Sequence, residues 1–313
     1  MEELQVIKKA DIVQQIGAGD IITRFLASLD VKPKTKETYR KALKQFVRYI
    51  EEKGTAQTER ADILAYKAFL MANYKAATVS AYLTAVKQLY KWLEAEKISP
   101  NIAAGIKGAK GAKGFKKDTL TAVQAKHILE TIDRATIEQL RNYALINLLI
   151  RTGLRTIEAE RANIEDIRQE AGQALLYIQG KGRDEKDAFV LLTAATLEPL
   201  QAYLKMRGEK DEEAPLFCSF SNRSKGERLT TRSIRRIVKE AMQAAGIESD
   251  RLTAHSLRHT AITFSLLGGA SIQEAQQMAR HSNINTTLIY AHNIERIGHA
   301  PERKIDSYLD NVL

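Results

Sequence analysis

Cysteine, proline and long apolar runs are all scarce in this 313-residue sequence, which has one cysteine and five prolines. The single cysteine, Cys218, cannot form an internal disulfide, so we expect a reducing, cytoplasmic setting, although a secreted protein without disulfides would look the same. The longest apolar stretch, Tyr143 to Ile150, is interrupted by Asn147 and is far shorter than the roughly 20 residues that span a membrane. The first residues, MEELQ, lack the basic and apolar regions of a signal peptide. We therefore expect no membrane partner.

Positive charge exceeds negative charge, because 48 lysines and arginines stand against 38 aspartates and glutamates, a net charge of +10. An excess of this size favours an anionic partner. Nucleic acid, anionic lipid and an acidic protein all fit it, as does a basic protein with no such partner. The hydrophobic share of 44% is enough for a packed core and excludes a chain that is disordered throughout. The length favours two domains.

The first hundred residues contain few glycines and prolines and show helical periodicity. Thr35 is a candidate N-cap of one helix and Thr58 of the next. Apolar stripes predict two more helices, over Asp20–Leu29 and around Val79–Leu93. We therefore expect an all-α N-terminal domain over residues 1–100.

The composition changes over residues 101–118, where residues 105–117 read GIKGAKGAKGFKK, with four glycines, five lysines and no acid. Glycine disfavours a stable helix and the lysines repel one another, so we predict an extended basic linker. An ordinary flexible connector would have the same composition, and a segment lying along a phosphate backbone is the functional alternative. The candidate DNA-binding residues are Lys107, Lys110, Lys113, Lys116 and Lys117.

Residues 119–313 are predicted to form a second domain that is mainly helical with one β-hairpin. The hairpin strands are Ala174–Gln179 and Asp187–Leu192, which flank the glycine-punctuated turn GKGRD. Pro301 is a candidate first residue of a final amphipathic helix. The expected fold class is therefore mainly α with a small β-sheet, in two domains.

Four segments of the second domain carry uncommon polar groups: TGLRTIE at 152–158, GKG at 180–182, HSLRH at 255–259 and ARHSNINTTLIY at 279–290. In the first, Arg155 follows a glycine turn at a helix start, and Glu158 lies one turn on, where it can orient the guanidinium. In the third, His255 and Arg258 are three residues apart and face the same way on a helix. The candidate reacting residues are Arg155, Lys181, His255, Arg258, His281 and Tyr290.

Each candidate is more often structural when taken alone, but together they form a metal-free set for phosphoryl transfer. Arginine forks match phosphate oxygens and stay charged, a tyrosine hydroxyl is a nucleophile, and histidine and lysine move protons. The sequence has no Walker-type phosphate loop and no carboxylate cluster for two metals. His255 and His259 have the spacing of zinc ligands, but Arg258 would place a fixed positive charge beside the metal, and Ser256 breaks the HExxH pattern. We expect no metal and no cofactor.

In their order and spacing, the four motifs resemble those of the tyrosine recombinases, that is, the phage-type integrases and their Xer relatives. The resemblance covers the whole two-domain plan. It implies a two-domain DNA clamp, with a helical, SAM-like core-binding domain before an α/β catalytic domain that ends in a tail helix. It also implies a site-specific recombinase of DNA integration, excision or dimer resolution. Such an enzyme cuts and rejoins double-stranded DNA through a 3′-phosphotyrosyl intermediate and a Holliday junction, without metal or ATP.

The resemblance assigns a role to each candidate. Tyr290 would attack the scissile phosphate and free a 5′-hydroxyl, with Lys181 protonating the leaving oxygen and His255 acting as general acid/base on the tyrosine proton. Three further side chains would bind the phosphate, two arginines on its non-bridging oxygens and a histidine hydrogen-bonded to it, and an acid would support the site without reacting. These are Arg155, Arg258, His281 and Glu158.

Three positions need comment within this resemblance. Arg280 stands where the family usually has glycine before the second active-site histidine, which adds charge near the phosphate. The second hairpin strand reads KDAFVLL and lacks the family's basic residue and Val-Pro-Leu ending. His259 is expected to be a helix-packing histidine. None of these features removes a reacting group.

The resemblance implies a homo-tetramer that acts on two DNA sites. The tail after Tyr290 carries an apolar stripe of Ile305, Leu309 and Val312. We expect this tail to dock on a neighbouring protomer, and docking on its own domain is the alternative. Two other functions stay open: a type IB topoisomerase-like enzyme with the same chemistry but no partner exchange, and a catalytically silent DNA-binding protein of architecture or regulation.

Overall fold

The computed structural model describes residues 18–54, 58–109, 118–180, 182–298 and 301–310. The chain divides into two compact units, residues 1–113 and 114–313, and each has its own hydrophobic core. Helices dominate both units, and the described residues contain one three-stranded sheet. None of the helices in these ranges is long and apolar enough to cross a membrane.

The described residues of the first unit form four helices, α1 (Ala18–Ser28), α2 (Pro33–Lys53), α3 (Arg60–Asn73) and α4 (Ala76–Ala95). Two of them begin at residues other than those predicted. Helix α2 begins at Pro33, ahead of Thr35, because proline has its φ preset and lacks an N–H that the first turn would leave unbonded. The N-cap of α3 is Glu59 rather than Thr58, and the Glu59 N–H donates to Oδ2 of Asp62 at 2.8 Å.

Aromatic rings fill the core of the first unit. Tyr66 of α3 is fully buried and meets Phe46 of α2 edge-on, with ring centroids 5.0 Å apart. Phe25 of α1 packs on Trp92 of α4 with ring centroids 5.8 Å apart. Since each helix supplies one of these large apolar side chains, the four helices share a single core.

The chain that follows α4 also belongs to the first unit. Ala103 and Ile106 are buried in its core, and Nη1 of Arg60 donates to the carbonyls of Ile102 at 3.1 Å and Ala104 at 2.6 Å. The start of the predicted linker is therefore packed and not extended, because its apolar residues find a surface on α3 and α4. Lys107 is exposed. The other candidate DNA-binding lysines, Lys110, Lys113, Lys116 and Lys117, lie outside the described residues.

The second unit contains the helices α5 (Ala122–Thr131), α6 (Ile137–Thr152), α7 (Thr156–Arg161), α8 (Ala194–Arg207), α9 (Thr231–Ala244), α10 (Ala254–Leu267), α11 (Ile272–Ala279), α12 (Asn285–Gly298) and α13 (Pro301–Asp310). Its antiparallel sheet has the strands β1 (Ile167–Glu170), β2 (Gln173–Ile178) and β3 (Ala188–Leu192), in that order. A short 3-10 helix over Ile164–Asp166 leads into β1.

The predicted hairpin corresponds to β2 and β3, which pair with Leu176 opposite Val190. Strand β1 was not predicted, and it pairs on the other side of β2, with Ile167 opposite Leu176. Ala171 and Gly172 join β1 to β2 with φ angles of 48° and 76°. A two-residue turn with positive φ at both positions matches the right-handed twist of the strands, which explains why so short a connection suffices.

Helix α6 is buried along most of its length and lies against α8 and α10 at the centre of the second core. Oγ1 of Thr136 caps its start by accepting from the N–H of Gln139 at 3.3 Å. Gly153 ends it with a φ of 63°, and a Cβ on Gly153 would lie 3.3 Å from Cβ of Ala261 in α10. This close approach fixes the position of the chain just before Arg155.

Candidate active site

Arg155 and Glu158 form an ion pair at the start of α7. The Arg155 N–H donates to Oε2 of Glu158 and its Nη1 donates to Oε1, both at 2.8 Å. Glu158 is completely buried. Burial opposes its charge, but Arg280 and Arg155 outweigh that effect and hold the pKa of Glu158 below its usual range. The carboxylate is therefore ionised at neutral pH and holds both the backbone N–H and the guanidinium of Arg155.

Arg258 of α10 lies on the same side of the unit and is only 2% exposed. Its Nη1 donates to the Gly153 carbonyl at 2.6 Å, and its Nη2 donates to the carbonyl of Ala279. Burial, followed by the charges of Arg155 and Arg280, lowers the pKa of Arg258 to about 9. The guanidinium still carries its charge at neutral pH, so two arginines face the same small region.

His281 follows α11 and is held by two hydrogen bonds. Its Nδ1 lies 2.9 Å from Oγ1 of Thr287, and its carbonyl accepts from Nε2 of Gln276 at 2.9 Å. Burial and the charges of Arg258 and Arg155 lower the pKa of His281 to about 4. The imidazole is therefore neutral at neutral pH and can offer one N–H to an anion.

Tyr290 of α12 is 4% exposed and its hydroxyl contacts Nδ1 of His259. Its ring lies 5.5 Å from that of His259 and 6.5 Å from that of His281, measured between centroids. Burial raises the pKa of Tyr290 to about 12, against the opposing influence of Arg258 and Arg155. The phenol is protonated at neutral pH, so a nucleophilic role requires a group that accepts its proton.

More than half of the chain, residues 118–296, matches the phage integrase family, and residues 20–99 match the family described as phage integrase, N-terminal SAM-like domain. Tyrosine recombinase XerD of Listeria monocytogenes is 29% identical over 289 residues, which cover 88% of this chain and 94% of that protein. The chain belongs to the phage integrase family of tyrosine recombinases. Its activity is site-specific recombination.

Other relatives agree with this assignment. Tyrosine recombinase XerD of Rhizobium meliloti is 29% identical over 271 residues, covering 83% of this chain and 85% of that protein. Among solved structures, the XerH site-specific recombinase bound to palindromic difH substrate is 21% identical, with a TM-score of 0.73 and coverage of 96% and 92%. A lambda integrase tetramer bound to a Holliday junction is 20% identical, with a TM-score of 0.66 and coverage of 87% and 76%. These two structures share the fold.

The recombinase brings five of its six predicted reacting residues into one region. His255 lies on the exposed side of α10, and its ring centroid is 4.6 Å from that of His259. Lys181 lies outside the described residues. Its neighbour Gly180 is held by Nη1 of Arg161, which donates to the Gly180 carbonyl at 3.3 Å. The start of the hairpin turn is thus tethered to α7, the helix that follows Arg155.

His259 was expected to pack between helices, and it lies where α10 meets α12. Its half-buried imidazole also contacts the hydroxyl of Tyr290 directly, a contact that the sequence did not predict. The two residues are 31 positions apart, and α12 must fold against α10 before they meet. The spacing of residues along the sequence does not predict the contact between His259 and Tyr290, although His259 lies one helical turn after His255 on the same helix.

Arg280 was predicted to add charge near the phosphate. Its guanidinium lies beside the Arg155–Glu158 pair, with Nη2 of Arg280 2.9 Å from Oε2 of the acid. Within the described ranges, no group of three or more histidine, cysteine, aspartate or glutamate residues is placed to hold a metal ion.

We predict that Glu158→Gln destabilises the fold at neutral pH by about 3–5 kcal/mol, because it leaves two guanidiniums without their buried counter-charge. The folded-state pKa of Glu158 lies below 4.5, so its ionic contribution is complete above pH 4.5 and is lost as the pH falls through the folded value. The difference between variant and wild type should therefore shrink in acid. Urea unfolding at several pH values measures it.

The matched control is Glu130→Gln, since Glu130 is 58% exposed and pairs with Lys126 on the surface at 3.6 Å. That change should alter the free energy of unfolding by less than about 1 kcal/mol at every pH. Equal effects of the two substitutions would contradict a structural role for the buried carboxylate.

Proposed function

We propose that this recombinase cuts and rejoins double-stranded DNA by forming a covalent link between the Tyr290 hydroxyl and the 3′-phosphate of the cut strand. The surroundings of Tyr290 support this role. Its ring lies close to two imidazoles and within the electrostatic influence of Arg258 and Arg155. A phenol in this setting faces groups that bind an anion and groups that accept a proton.

The reaction forms one bond to phosphorus and breaks another, and it needs neither a metal nor a nucleotide. The phenol oxygen forms a bond to phosphorus, and the bond between phosphorus and the 5′-oxygen of the next nucleotide breaks. Arg155, Arg258 and His281 hold the non-bridging oxygens, and Lys181 protonates the leaving 5′-oxygen. The energy of the phosphodiester is kept in the phosphotyrosine, so a 5′-hydroxyl from a second DNA strand can reverse the step. Exchange of strands between two sites passes through a Holliday junction.

The proton of the phenol leaves through the histidine pair of α10. His259 contacts the hydroxyl, and His255 touches His259 edge-on and is exposed to solvent. His259 therefore takes the proton from Tyr290, and His255 acts on that proton only through its contact with His259. Histidine is the ordinary proton acceptor for such a transfer near neutral pH.

The partners of this chain follow from the same proposal. The structures of XerH and lambda integrase were determined with DNA, the second as a tetramer on a Holliday junction. We extend double-stranded DNA and tetramer formation to this chain. The N-terminal domain, residues 1–100, binds the core site, and the lysines of residues 101–118 contact the phosphate backbone ahead of the catalytic domain, residues 119–313.

Replacing Tyr290 with phenylalanine tests the function itself. Tyr290→Phe should abolish the covalent DNA adduct and leave non-covalent DNA binding within about twofold, because only the nucleophilic oxygen is lost. The adduct is measured on a nicked suicide DNA whose cleaved end diffuses away, and binding is measured by fluorescence anisotropy. An adduct that persists in the variant would overturn the assignment of the nucleophile.

A DNA-joining assay separates the alternatives. Wild-type protein should join two different DNA sites in one product. Relaxation of supercoiled DNA with no joined product would indicate a topoisomerase-like enzyme, and binding with no adduct at all would indicate an architectural protein.

Substitutions at His259 test the proton acceptor. Asparagine can still accept the hydrogen bond of the phenol but cannot take its proton, whereas phenylalanine can do neither. Both His259→Asn and His259→Phe should slow adduct formation by about 100-fold at saturating DNA. A near-normal rate for His259→Asn would show that the residue only positions Tyr290.

The control for both variants is His127→Asn, since His127 is an exposed histidine of α5. Its rate of adduct formation should equal that of wild type. A similar loss in the control would point to a general effect of removing a histidine.

The tail helix α13 is proposed to bind a neighbouring protomer. Ile305, Tyr308 and Leu309 are 58%, 72% and 58% exposed and share one face of the helix. Val312, the third residue of the predicted stripe, lies outside the described residues. An apolar helical face left open in this way is stabilised when a partner covers it.

We expect Ile305→Ser combined with Leu309→Ser to prevent tetramer assembly on two DNA sites while a single protomer still binds one site, because the substitutions remove only the apolar face. Analytical ultracentrifugation on DNA measures the assembly. Asp310→Ser, on another face of α13, is the control and should assemble normally. Normal assembly of the double variant would favour a tail that docks on its own domain.

A further inference from the structure

Arg280 adopts a backbone conformation that arginine rarely takes. It ends α11 with φ and ψ of 53° and 47°, in the left-handed region, and its N–H donates to the carbonyl of Gln277 at 2.9 Å. It is one of three non-glycine residues with positive φ in the described ranges. Glycine occupies this region without a Cβ clash, so the backbone alone would favour glycine here.

The side chain of Arg280 is as unusual as its backbone. It is only 14% exposed, and its Nε is buried with no hydrogen-bond partner among the described residues. A buried donor without a partner is unfavourable. Its Nη1 donates to the Met278 carbonyl at 2.6 Å, and its Nη2 binds Oε2 of Glu158 at 2.9 Å. The pairing with Glu158, 122 positions earlier in the chain, is the contact that distinguishes arginine from glycine at this position.

The pairing changes the charge of the phosphate site. Arg155 and Glu158 alone would form a neutral pair. With Arg280 on the second oxygen, two guanidiniums share one carboxylate, and one positive charge remains among the three side chains. Arg258 adds another nearby. Burial is the main cause that lowers the pKa values of Arg258 and Arg280, and the like charge of Arg155 lowers both further.

We propose that Arg280 is a positioning residue of the phosphate site: by sharing Glu158 with Arg155, it leaves Arg155 with net positive charge for the scissile phosphate. The proposal rests on the proposed function, since it needs a phosphate at Arg155. It assigns to Arg280 no contact with DNA. Glu158 thus still orients Arg155, but only part of its negative charge balances the positive charge of Arg155.

The competing explanation is that Arg280 only closes the turn after α11 through its bond to Met278. The two explanations differ in what glycine would do. If Arg280 only closes the turn, Arg280→Gly fits the backbone and leaves the reaction unchanged. If Arg280 shares Glu158, the same substitution leaves the full charge of Glu158 to balance that of Arg155. The reaction is then slower, whether or not the turn is more stable.

The experiment compares Arg280→Gly, Arg280→Asn and Arg280→Lys with wild type in the full-length protein. Glycine and asparagine both tolerate the left-handed region and remove the charge, and lysine keeps the charge. Adduct formation at saturating DNA should be about tenfold slower for glycine and asparagine and close to wild type for lysine, a smaller loss than that of a group touching the phosphate. Thermal unfolding confirms that each variant is folded.

A second substrate distinguishes electrostatics from loss of shape. In a methylphosphonate, an uncharged methyl group replaces one non-bridging oxygen of the scissile phosphate. The deficit of Arg280→Gly should shrink to about twofold or less on this DNA, because there is no longer a negative charge for Arg155 to match. An equal deficit on both substrates would show that the variant only disturbs the geometry and would overturn the proposal.

Binding gives a readout that does not depend on reaction of the methylphosphonate. In a Tyr290→Phe background, protein that keeps Arg280 should prefer the phosphodiester over the methylphosphonate by a larger factor than protein that also carries Arg280→Gly. Equal preferences, or equal adduct rates on the phosphodiester, would refute the role of Arg280. Failure of wild type to form any adduct on the phosphodiester would refute the proposed function instead.

Discussion

The buried carboxylate of Glu158 is the contact on which the arrangement of the active site depends. It accepts from the backbone and the guanidinium of Arg155 and from the guanidinium of Arg280, so it joins the start of α7 to the end of α11. Burying a carboxylate without such donors would destabilise the fold, and the guanidiniums without the carboxylate would repel one another. Each charge is tolerated in the core because the others are there.

The burial of Tyr290, the proposed nucleophile, comes from the packing of α12 on α10. Tyr290 is almost completely covered, and burial raises the pKa of Tyr290 to about 12. The unreacted phenol is therefore both hard to reach and weakly nucleophilic. The groups that would activate it, His259 and the two arginines of the phosphate site, are already at hand.

The helices and the site motifs could be predicted from the sequence because their signals are local. The helix predicted over Asp20–Leu29 lies within two residues of the observed Ala18–Ser28, and glycines within the turn marked the hairpin. Strand β1 escaped prediction because it has four mostly exposed residues, and its turn uses Ala171 where asparagine or glycine would have been the signal. The packing of Ala103 and Ile106 escaped because glycine and lysine dominate the segment around them.

The contacts within the site were harder to predict than its members. The four motifs named candidates, five of which the structure brings together, but which atoms meet depends on how α10, α11 and α12 pack. His259 faces Tyr290, and Arg280 faces Glu158, across separations of 31 and 122 residues. Side-chain chemistry at such distances is set by tertiary structure, and a substitution of glycine by arginine gives no hint of the acid that it will find.

The turn at Gly153 links Arg155 and Arg258 to the same stretch of backbone. Its carbonyl accepts from Arg258, its chain continues within two residues into Arg155, and its α-carbon leaves almost no room beside Ala261. Any displacement of the turn must carry both guanidiniums along, and neither can relax alone. In the function proposed above, the two guanidiniums that bind the phosphate therefore move together with this turn.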